Sequence, residues 1–257
     1  MIKAVFFDID GTLVPFGSRM LDSTLESLYA LQRSGVKVIV ASGRPKYLID
    51  NVRGFNFDAW VCCNGAHATI GDRTVCSIPI ARESIVKVAQ IAASKRIPIY
   101  LFGAEKAGVN YMNEEAERLR KLINLPMQEV VDVVKMAESE PIYESTVYVT
   151  LEEERNILHP EVSDVEYTRW NPYFTDVNPK GLSKATAMNA VLDHFGISIS
   201  ESMAFGDGGN DIQMIAAAGV GVVMANASDE VKSHADYITL DVNDDGVTAA
   251  LKHFSLI

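Results

Sequence analysis

The chain begins with a short apolar run, and two carboxylates follow it. Residues 2–7 are followed directly by Asp8 and Asp10 and then by the turn Gly11-Thr12. An apolar run of this length that ends in a turn predicts a buried β-strand. Placing carboxylates beside such a strand costs free energy unless a cation or hydrogen bonds compensate for it. The two acids therefore predict a functional site at the carboxyl end of the strand.

The composition narrows the class of protein. The chain has 257 residues, of which 48% are hydrophobic, so it can form a full core. Its 23 Lys and Arg against 34 Asp and Glu leave a net charge of −11, which disfavours nucleic acids and anionic membranes as partners. Its three cysteines form no disulfide framework. We expect a cytoplasmic protein, a monomer or small homo-oligomer, without a signal peptide.

The order of elements after the first strand indicates an α/β fold. The predicted elements are a helix over 21–34, a strand over 36–41, a further helix, and a strand over 59–63. Strands that alternate with helices predict a parallel sheet covered on both faces. Polar residues that do chemistry gather outside the carboxyl ends of such strands. Asp8, Ser42 and Asn64 each occupy such a position.

The alternation changes near residue 80 and resumes near residue 184. The middle region has predicted helices over 81–94 and 114–123 and strands over 97–102, 146–151 and 173–177. After it come a helix over 184–195, a strand over 202–205, a helix over 211–218 and strands over 220–224 and 237–238. We predict a core domain formed by 1–80 and 184–257, with a second domain of residues 81–183 inserted into it.

Two motifs in the first part of the core suit phosphate chemistry. Of Asp8 and Asp10, one can attack phosphorus while the other protonates the leaving oxygen, and both can hold a hard cation. An acid pair in a turn can also be a helix cap or a solvated loop. The hydroxyl and backbone N–H groups of Ser42-Gly43-Arg44 can cradle an anion, although Ser-Gly after a strand is often only a turn.

Two further motifs lie in the second part of the core. Lys184 opens a predicted helix, with Ser183 as its cap, and its charge can stabilise a phosphoryl group in the transition state. A lone Lys there is more often solvated, and Lys180 competes for the assignment. The run Gly206-Asp207-Gly208-Gly209-Asn210-Asp211 lets the backbone approach a ligand, and Asp207 can supply a second metal carboxylate. An ordinary Gly-rich turn is the alternative.

These four motifs, taken in order, resemble those of the haloacid dehalogenase superfamily of phosphotransferases. The place of the insertion resembles the Cof-type subgroup, which has a large α/β cap of type C2B. The resemblance implies a Rossmann-like parallel-sheet core with an inserted α+β cap domain that selects the substrate. One departure is Ala185 after Lys184, where relatives often have Gly. Ala is the better helix former, so we expect no loss of function.

The resemblance also implies a role for each matching residue. Asp8 would be the nucleophile that forms an aspartyl-phosphate, and Asp10 would be the general acid and base. The residues implied to hold Mg²⁺ are Asp8, Asp10 through its backbone carbonyl, Asp207 and, from close by, Asp211. The residues implied to bind the phosphoryl group are Ser42, Gly43, Lys184 and Asn210.

The expected function is that of a Mg²⁺-dependent phosphatase acting on a small phosphorylated metabolite, with a sugar phosphate as the expected class. The candidates for binding the rest of the substrate are Arg44, Asn64, Arg169, Trp170 and Tyr173. Packing in the cap or simple solvation competes for several of them. Two other functions stay open at this point. They are a phosphohexomutase-like phosphotransferase and a non-enzymatic phospho-switch similar to a response-regulator receiver.

Overall fold

The computed structural model describes residues 1–52, 54–122 and 125–257. The strands are β1 Ala4–Phe7, β2 Lys37–Ala41, β3 Ala59–Cys62, β4 His67–Ile70, β5 Arg73–Ser77, β6 Ile99–Phe102, β7 Ala107–Val109, β8 Glu129–Val130, β9 Glu144–Val147, β10 Val165–Asn171, β11 Phe174–Pro179, β12 Ser202–Gly206, β13 Val220–Val223 and β14 Tyr237–Ile238. The α-helices are α1 Asp22–Arg33, α2 Arg82–Lys95, α3 Glu114–Leu122, α4 Val133–Ser139, α5 Leu151–Glu153, α6 Lys184–Phe195, α7 Ile212–Ala217, α8 Asp229–Lys232 and α9 Gly246–His253.

The chain forms two compact units. The first comprises Met1–Arg44, Ile49–Ser77 and Ser183–Ile257, and the second comprises Pro45–Leu48 and Ile78–Leu182. The first unit contains an eight-stranded sheet in the order β14-β13-β12-β1-β2-β3-β4-β5. Its strands pair in parallel from β14 to β3, and β4 and β5 extend it as antiparallel strands. The fold class is therefore α/β with a parallel-sheet core, as predicted.

The register of the central strands brings their carboxyl ends together. Phe7, the last residue of β1, lies opposite Val40 of β2 and Phe205 of β12. The three strands consequently end at nearly the same level of the sheet. A polar residue follows each of these strands, and the three polar residues lie at one edge of the sheet: Asp8, Ser42 and Asp207. Functional residues of parallel sheets commonly lie at this carboxyl edge.

Strand β1 is buried on both faces of the sheet. Val5 and Phe7 pack into the apolar cluster on one face, and Ala4 and Phe6 pack into the cluster on the other. This alternation follows from the two-residue period of a strand. A strand that is covered on both faces of the sheet consists of a continuous run of apolar residues. This explains why β1 could be predicted clearly from the sequence.

Between β2 and β5, one predicted element is wrong and one hairpin was not predicted. No α-helix joins β2 to β3 in the described residues; the connection contains only a 3₁₀ turn at Lys46–Leu48. Pro45 and Gly54 interrupt this segment, and Val52 and Phe55 enter the core from irregular backbone. The hairpin of β4 and β5 was not predicted, because β5 is largely exposed and lacks an apolar signature.

The second unit contains a six-stranded sheet in the order β10-β11-β9-β6-β7-β8. Its pairings are antiparallel except for that of β7 with β8. Helices α2 and α4 pack on one face through an apolar cluster that includes Val88, Leu101 and Val177. The strand predicted over 146–151 instead ends at Val147, because Thr150 and Glu153 form a capping box that starts α5.

None of the helices in the described residues is long and apolar enough to cross a membrane.

Candidate active site

A buried lysine joins two of the predicted acids. Lys184 is fully buried at the first position of α6, and its Nζ donates hydrogen bonds of 2.6 Å to Oδ1 of Asp8 and to Oδ1 of Asp211. Oδ2 of Asp211 accepts hydrogen bonds from the backbone N–H groups of Asp207 and Gly208. Both oxygens of Asp211 are therefore occupied, and Asp211 fixes the loop that carries Asp207.

The electrostatics of this cluster show that it has surplus negative charge. Burial and the nearby Asp211 raise the pKa of Asp8 to about 8, although Lys184 acts against this. Burial and Asp211 also raise the pKa of Asp207 to about 6. Burial alone would lower the pKa of Lys184, but Asp211 and Asp8 outweigh it and hold that pKa above its usual range. One ammonium group does not balance the buried carboxylates of Asp8 and Asp211 together with the half-buried carboxylate of Asp207.

Asp207 is held by three neighbours. Thr12 donates a hydrogen bond of 3.0 Å to its Oδ1, and the amide of Asn226 donates one of 3.2 Å to its Oδ2. Gly11 packs against the same carboxylate. Its φ is +95°, and a Cβ there would lie 2.2 Å from Oδ2 of Asp207. Only glycine can therefore occupy position 11 without moving Asp207.

Asn226 connects three loops at the site. Besides Asp207, its Nδ2 donates to the backbone carbonyl of Gly11 at 2.9 Å, and its Oδ1 accepts from the backbone N–H of Val242 at 3.1 Å. Sequence reasoning missed Asn226. It lies three residues after β13, a parallel strand, and that position was the signal that could have found it.

The side chain of Asp10 has hydrogen-bond partners that differ from those of Asp8, Asp207 and Asp211. Its Oδ2 lies 2.6 Å from a terminal nitrogen of Arg44, and its Oδ1 accepts a hydrogen bond of 3.1 Å from Asn51. Arg44 was predicted as a substrate contact, and Asn51 was not predicted. Among the described residues, the group of carboxylates able to share a cation contains Asp8, Asp207 and Asp211, and not Asp10.

The predicted phosphate-binding residues lie around the same edge of the sheet. Ser42 is buried, and its Oγ accepts a hydrogen bond from the backbone N–H of Arg44 at 3.1 Å. Asn210 donates to Oδ1 of Asn64 at 2.9 Å, and Gly43 lies beside Asn64. Asn64 was predicted to bind the substrate, and Asn210 was predicted to bind the phosphoryl group. The structure places these two side chains in contact.

These residues surround a cavity of about 240 Å³ in the first unit. The described residues that line it are Asp8, Asp10, Phe16, Ser42, Gly43, Arg44, Asp207, Gly208, Asn210 and Asp211. Lys184 is not among these lining residues, because it lies behind the carboxylates of Asp8 and Asp211. Among the described lining residues, only Phe16 has an aromatic side chain, and it is 73% exposed.

The remaining candidates belong to the second unit. Arg169 lies 2.7 Å from Oε2 of the buried Glu154 and also donates to the carbonyl oxygen of Val149. Tyr173 is 42% exposed and lines a small cavity of that unit. The side chain of Trp170 lies outside the described residues.

The residues of the first unit fit a divalent cation. Carboxylate oxygens of Asp8, Asp207 and Asp211 all lie within 4.8 Å of one another. Hard cations such as Mg²⁺ prefer carboxylate oxygens, and a cation would stabilise the ionised forms of Asp8 and Asp207, whose pKa values are raised by burial and by Asp211. This donor set and its surplus charge match the requirements of Mg²⁺.

Comparison with known proteins identifies the family and agrees with the fold. Residues 5–251 match the model of the haloacid dehalogenase-like hydrolase family. The solved structure of the HAD subclass IIB sugar phosphatase BT4131 is 35% identical, with a TM-score of 0.86, over 99% of this chain and 100% of that one. The phosphatase BT1666 from Bacteroides thetaiotaomicron is 34% identical, with a TM-score of 0.89, over 100% of this chain and 96% of that one. The putative phosphatase YkrA of Bacillus subtilis (strain 168) is 29% identical over 99% of this chain and 98% of its own length.

The sheet of the first unit has a parallel core with acids at its carboxyl edge, and the family model matches most of the chain. This protein therefore belongs to the haloacid dehalogenase-like hydrolase family. Within that family, it is similar over essentially its whole length to the subclass IIB sugar phosphatase BT4131 and to the phosphatase BT1666. The resemblance seen in the motifs is thus confirmed, and the chain is a phosphatase of this type.

Proposed function

We propose that this protein is a Mg²⁺-dependent phosphatase that hydrolyses a small phosphorylated metabolite, with a sugar phosphate as its substrate class, through an aspartyl-phosphate on Asp8. The observation that carries the proposal is the arrangement of Asp8, Lys184, Asp207 and Asp211. It combines a carboxylate at the floor of a cavity with a buried ammonium group and two further acids.

In the first step, Asp8 attacks the phosphorus atom of the substrate. Lys184 binds Oδ1 of Asp8, so we assign the attack to Oδ2. The bond from Oδ2 to phosphorus forms as the bond from phosphorus to the leaving oxygen breaks, and Asp10 donates a proton to that oxygen. Ser42 accepts a hydrogen bond from Arg44, so its own hydroxyl hydrogen is directed to a phosphoryl oxygen.

In the second step, water replaces the alcohol. Asp10, now ionised, accepts a proton from the water molecule as it attacks phosphorus. The bond from phosphorus to Asp8 breaks, inorganic phosphate leaves, and both acids return to their starting forms. Asn210 and the backbone N–H of Gly43 hold the phosphoryl oxygens through both steps, and this positioning supplies much of the catalysis.

Asp8, Asp207 and the backbone carbonyl of Asp10 would hold the Mg²⁺ ion, with Asp211 close by. When bound, Mg²⁺ neutralises charge on the phosphoryl group and on the carboxylates around it. The hydrogen bonds of Thr12 and Asn226 keep Asp207 in place for this purpose.

The sugar-phosphate class is supported by the cavity and by the relatives. The cavity is lined by polar side chains and by the ring of Phe16, which suits a polyhydroxylated molecule with one apolar C–H face. The relative BT4131 is described as a sugar phosphatase. We assign selection of the substrate to the inserted domain, residues 81–183, where Trp170 and Tyr173 are the candidates. Arg169, the third candidate from the sequence, is engaged by Glu154 and is assigned a structural role. The cytoplasmic location inferred from the composition remains a prediction.

The test is a comparison of wild type with Asp8→Asn on a panel of phosphate esters. We expect wild type to release inorganic phosphate with Mg²⁺ and to lose this activity in EDTA. We expect D8N, a folded protein by circular dichroism, to lose at least 10³-fold in kcat. Retained turnover by D8N would refute the proposal, and an isomerised sugar phosphate in place of phosphate would favour the mutase. An aspartyl-phosphate that persists for hours would favour the phospho-switch.

A further inference from the structure

Asp10, Arg44 and Asn51 form a closed ring of hydrogen bonds. One terminal nitrogen of Arg44 lies 2.6 Å from Oδ2 of Asp10 and 3.2 Å from Oδ1 of Asn51. Nδ2 of Asn51 donates to Oδ1 of Asp10 at 3.1 Å. The three residues come from different segments: the turn after β1, the bend that follows β2, and the irregular connection to β3.

The amide of Asn51 has only one orientation that satisfies this ring. If it were flipped, its carbonyl oxygen would face the Asp10 carboxylate and its NH₂ group would face the Arg44 guanidinium. Both contacts would then be repulsive, because carboxylates only accept and guanidinium groups only donate hydrogen bonds. Asn51 is therefore matched at both ends to an acid and a base.

The ion pair with Arg44 alone does not fix the orientation of the Asp10 carboxylate. Its side chain is 44% exposed, and that of Arg44 is 34% exposed. An ion pair between two such side chains is weak and allows the carboxylate to rotate about its contact with Arg44. The bond from Asn51 reaches the other oxygen, so the two bonds together fix the plane of the carboxylate.

We propose that Asn51 is a positioning residue, which orients Asp10 for proton transfer by holding its Oδ1 while Arg44 holds Oδ2. The inference rests on the proposed function, since Asp10 transfers a proton only there. Proton transfer requires a donor within hydrogen-bond reach of the leaving oxygen, so a carboxylate that rotates loses rate. Asn51 acts through Asp10 and does not itself touch the reacting atoms.

The choice of leaving group distinguishes a loss of the orientation of Asp10 from a general loss of catalytic activity. A sugar alkoxide is a strong base and must be protonated as it leaves, whereas 2,4-dinitrophenolate is a weak base and leaves without a proton. A defect in Asp10 alone therefore slows the first turnover of a hexose 6-phosphate and spares that of 2,4-dinitrophenyl phosphate. A defect in Asp8 or in the cation site slows both.

The experiment measures the first-turnover release of the alcohol by Asn51→Asp, Asn51→Ala and wild type on both esters. Asn56→Asp is the matched control, because Asn56 is an exposed amide in the same connection. We expect both Asn51 variants to lose at least tenfold on the hexose phosphate and less than threefold on the dinitrophenyl ester, with N56D unchanged. Retained release from the dinitrophenyl ester also shows that the variants are folded.

Equal losses on the two esters, or no loss on either, would overturn the role of Asn51. A D8N variant that still releases dinitrophenol would overturn the proposed function instead, so the two failures are distinguishable.

Discussion

Oδ1 of Asp8 and Nζ of Lys184 lie 2.6 Å apart, although 176 positions separate them in the chain. The inserted unit occupies most of that interval. The predicted nucleophile therefore obtains its positive partner from the second sequence piece of the core.

Lys184→Met should destabilise the protein strongly. The substitution leaves Asp8 and Asp211 buried and close together without their shared cation. Removing one partner of a buried ion pair costs about 3–5 kcal/mol. The measurement is urea unfolding at pH 7 in EDTA, with Lys180→Met as the control, because Lys180 is exposed and its loss should change stability by less than about 0.5 kcal/mol. A loss below about 1 kcal/mol for K184M would contradict the contribution of this pair.

The stability of the metal-free protein should fall as pH rises from 5 to 8. The pKa of Asp8 is raised to about 8 and that of Asp207 to about 6, from an ordinary value of 3.8. The folded state therefore binds more protons than the unfolded state in this range, and its advantage is lost as pH rises through the folded pKa values. We expect a decrease of at least about 1 kcal/mol by urea unfolding in EDTA.

Two controls identify the source of this pH dependence. Asp8→Asn should flatten the slope, because it removes the group with the higher pKa. Saturating MgCl₂ should also reduce the slope, since the cation replaces the protons on Asp8 and Asp207. Stability that stays constant or rises from pH 5 to 8 in EDTA would contradict the assignment of raised pKa values to this cluster.

Asn226→Ala should weaken the binding of Mg²⁺. The variant loses the bonds that hold the Asp207 carboxylate and the Gly11 carbonyl in place. Loss of a residue that orients a metal ligand typically lowers metal affinity by about 10–100-fold. Calorimetric titration with Mg²⁺ measures the affinity directly, and Asn243→Ala, at an exposed amide in the next loop, is the control. Equal affinities in wild type and N226A would rule out this role.

Arg169→Met should reduce stability more than catalysis. Glu154 is 5% exposed and would lose its buried partner, at a cost of about 3 kcal/mol. The double variant R169M/E154L should recover much of this loss, because it removes both charges. Thermal unfolding and steady-state kinetics on the same samples give the two readouts. A tenfold rise in KM with unchanged stability would instead show that Arg169 binds the substrate, the role predicted from the sequence.

The parts of the site that follow from strand ends could be predicted from the sequence. Helix α6 begins at Lys184 as predicted, and the register of β1 with β12 places Asp8 beside the loop of Asp207. Such convergence is a general property of parallel sheets, so the residue types and their positions were sufficient.

Other parts depend on contacts that leave no local pattern. Asn51 is a single amide in an irregular segment. The position of Asn226 after β13 marks it as a candidate, but nothing in the residues near either amide shows which carboxylate it meets. The connection of residues 45–58 has apolar residues at helical spacing, yet Pro45, Gly54 and the burial of Val52 and Phe55 favour irregular backbone. Tertiary packing decided its structure.

The position of β1 between β2 and β12 has a consequence during synthesis. One edge of β1 pairs with β2 early, but the partner of its other edge, residues 202–206, emerges only after 160 or so further residues. At about 5–20 residues per second the nascent chain spends roughly 10–30 s with this apolar edge unpaired. An unpaired strand edge is prone to associate with other chains. The demand on molecular chaperones should therefore be greatest in that interval, before the ribosome has delivered the strand that closes the centre of the sheet.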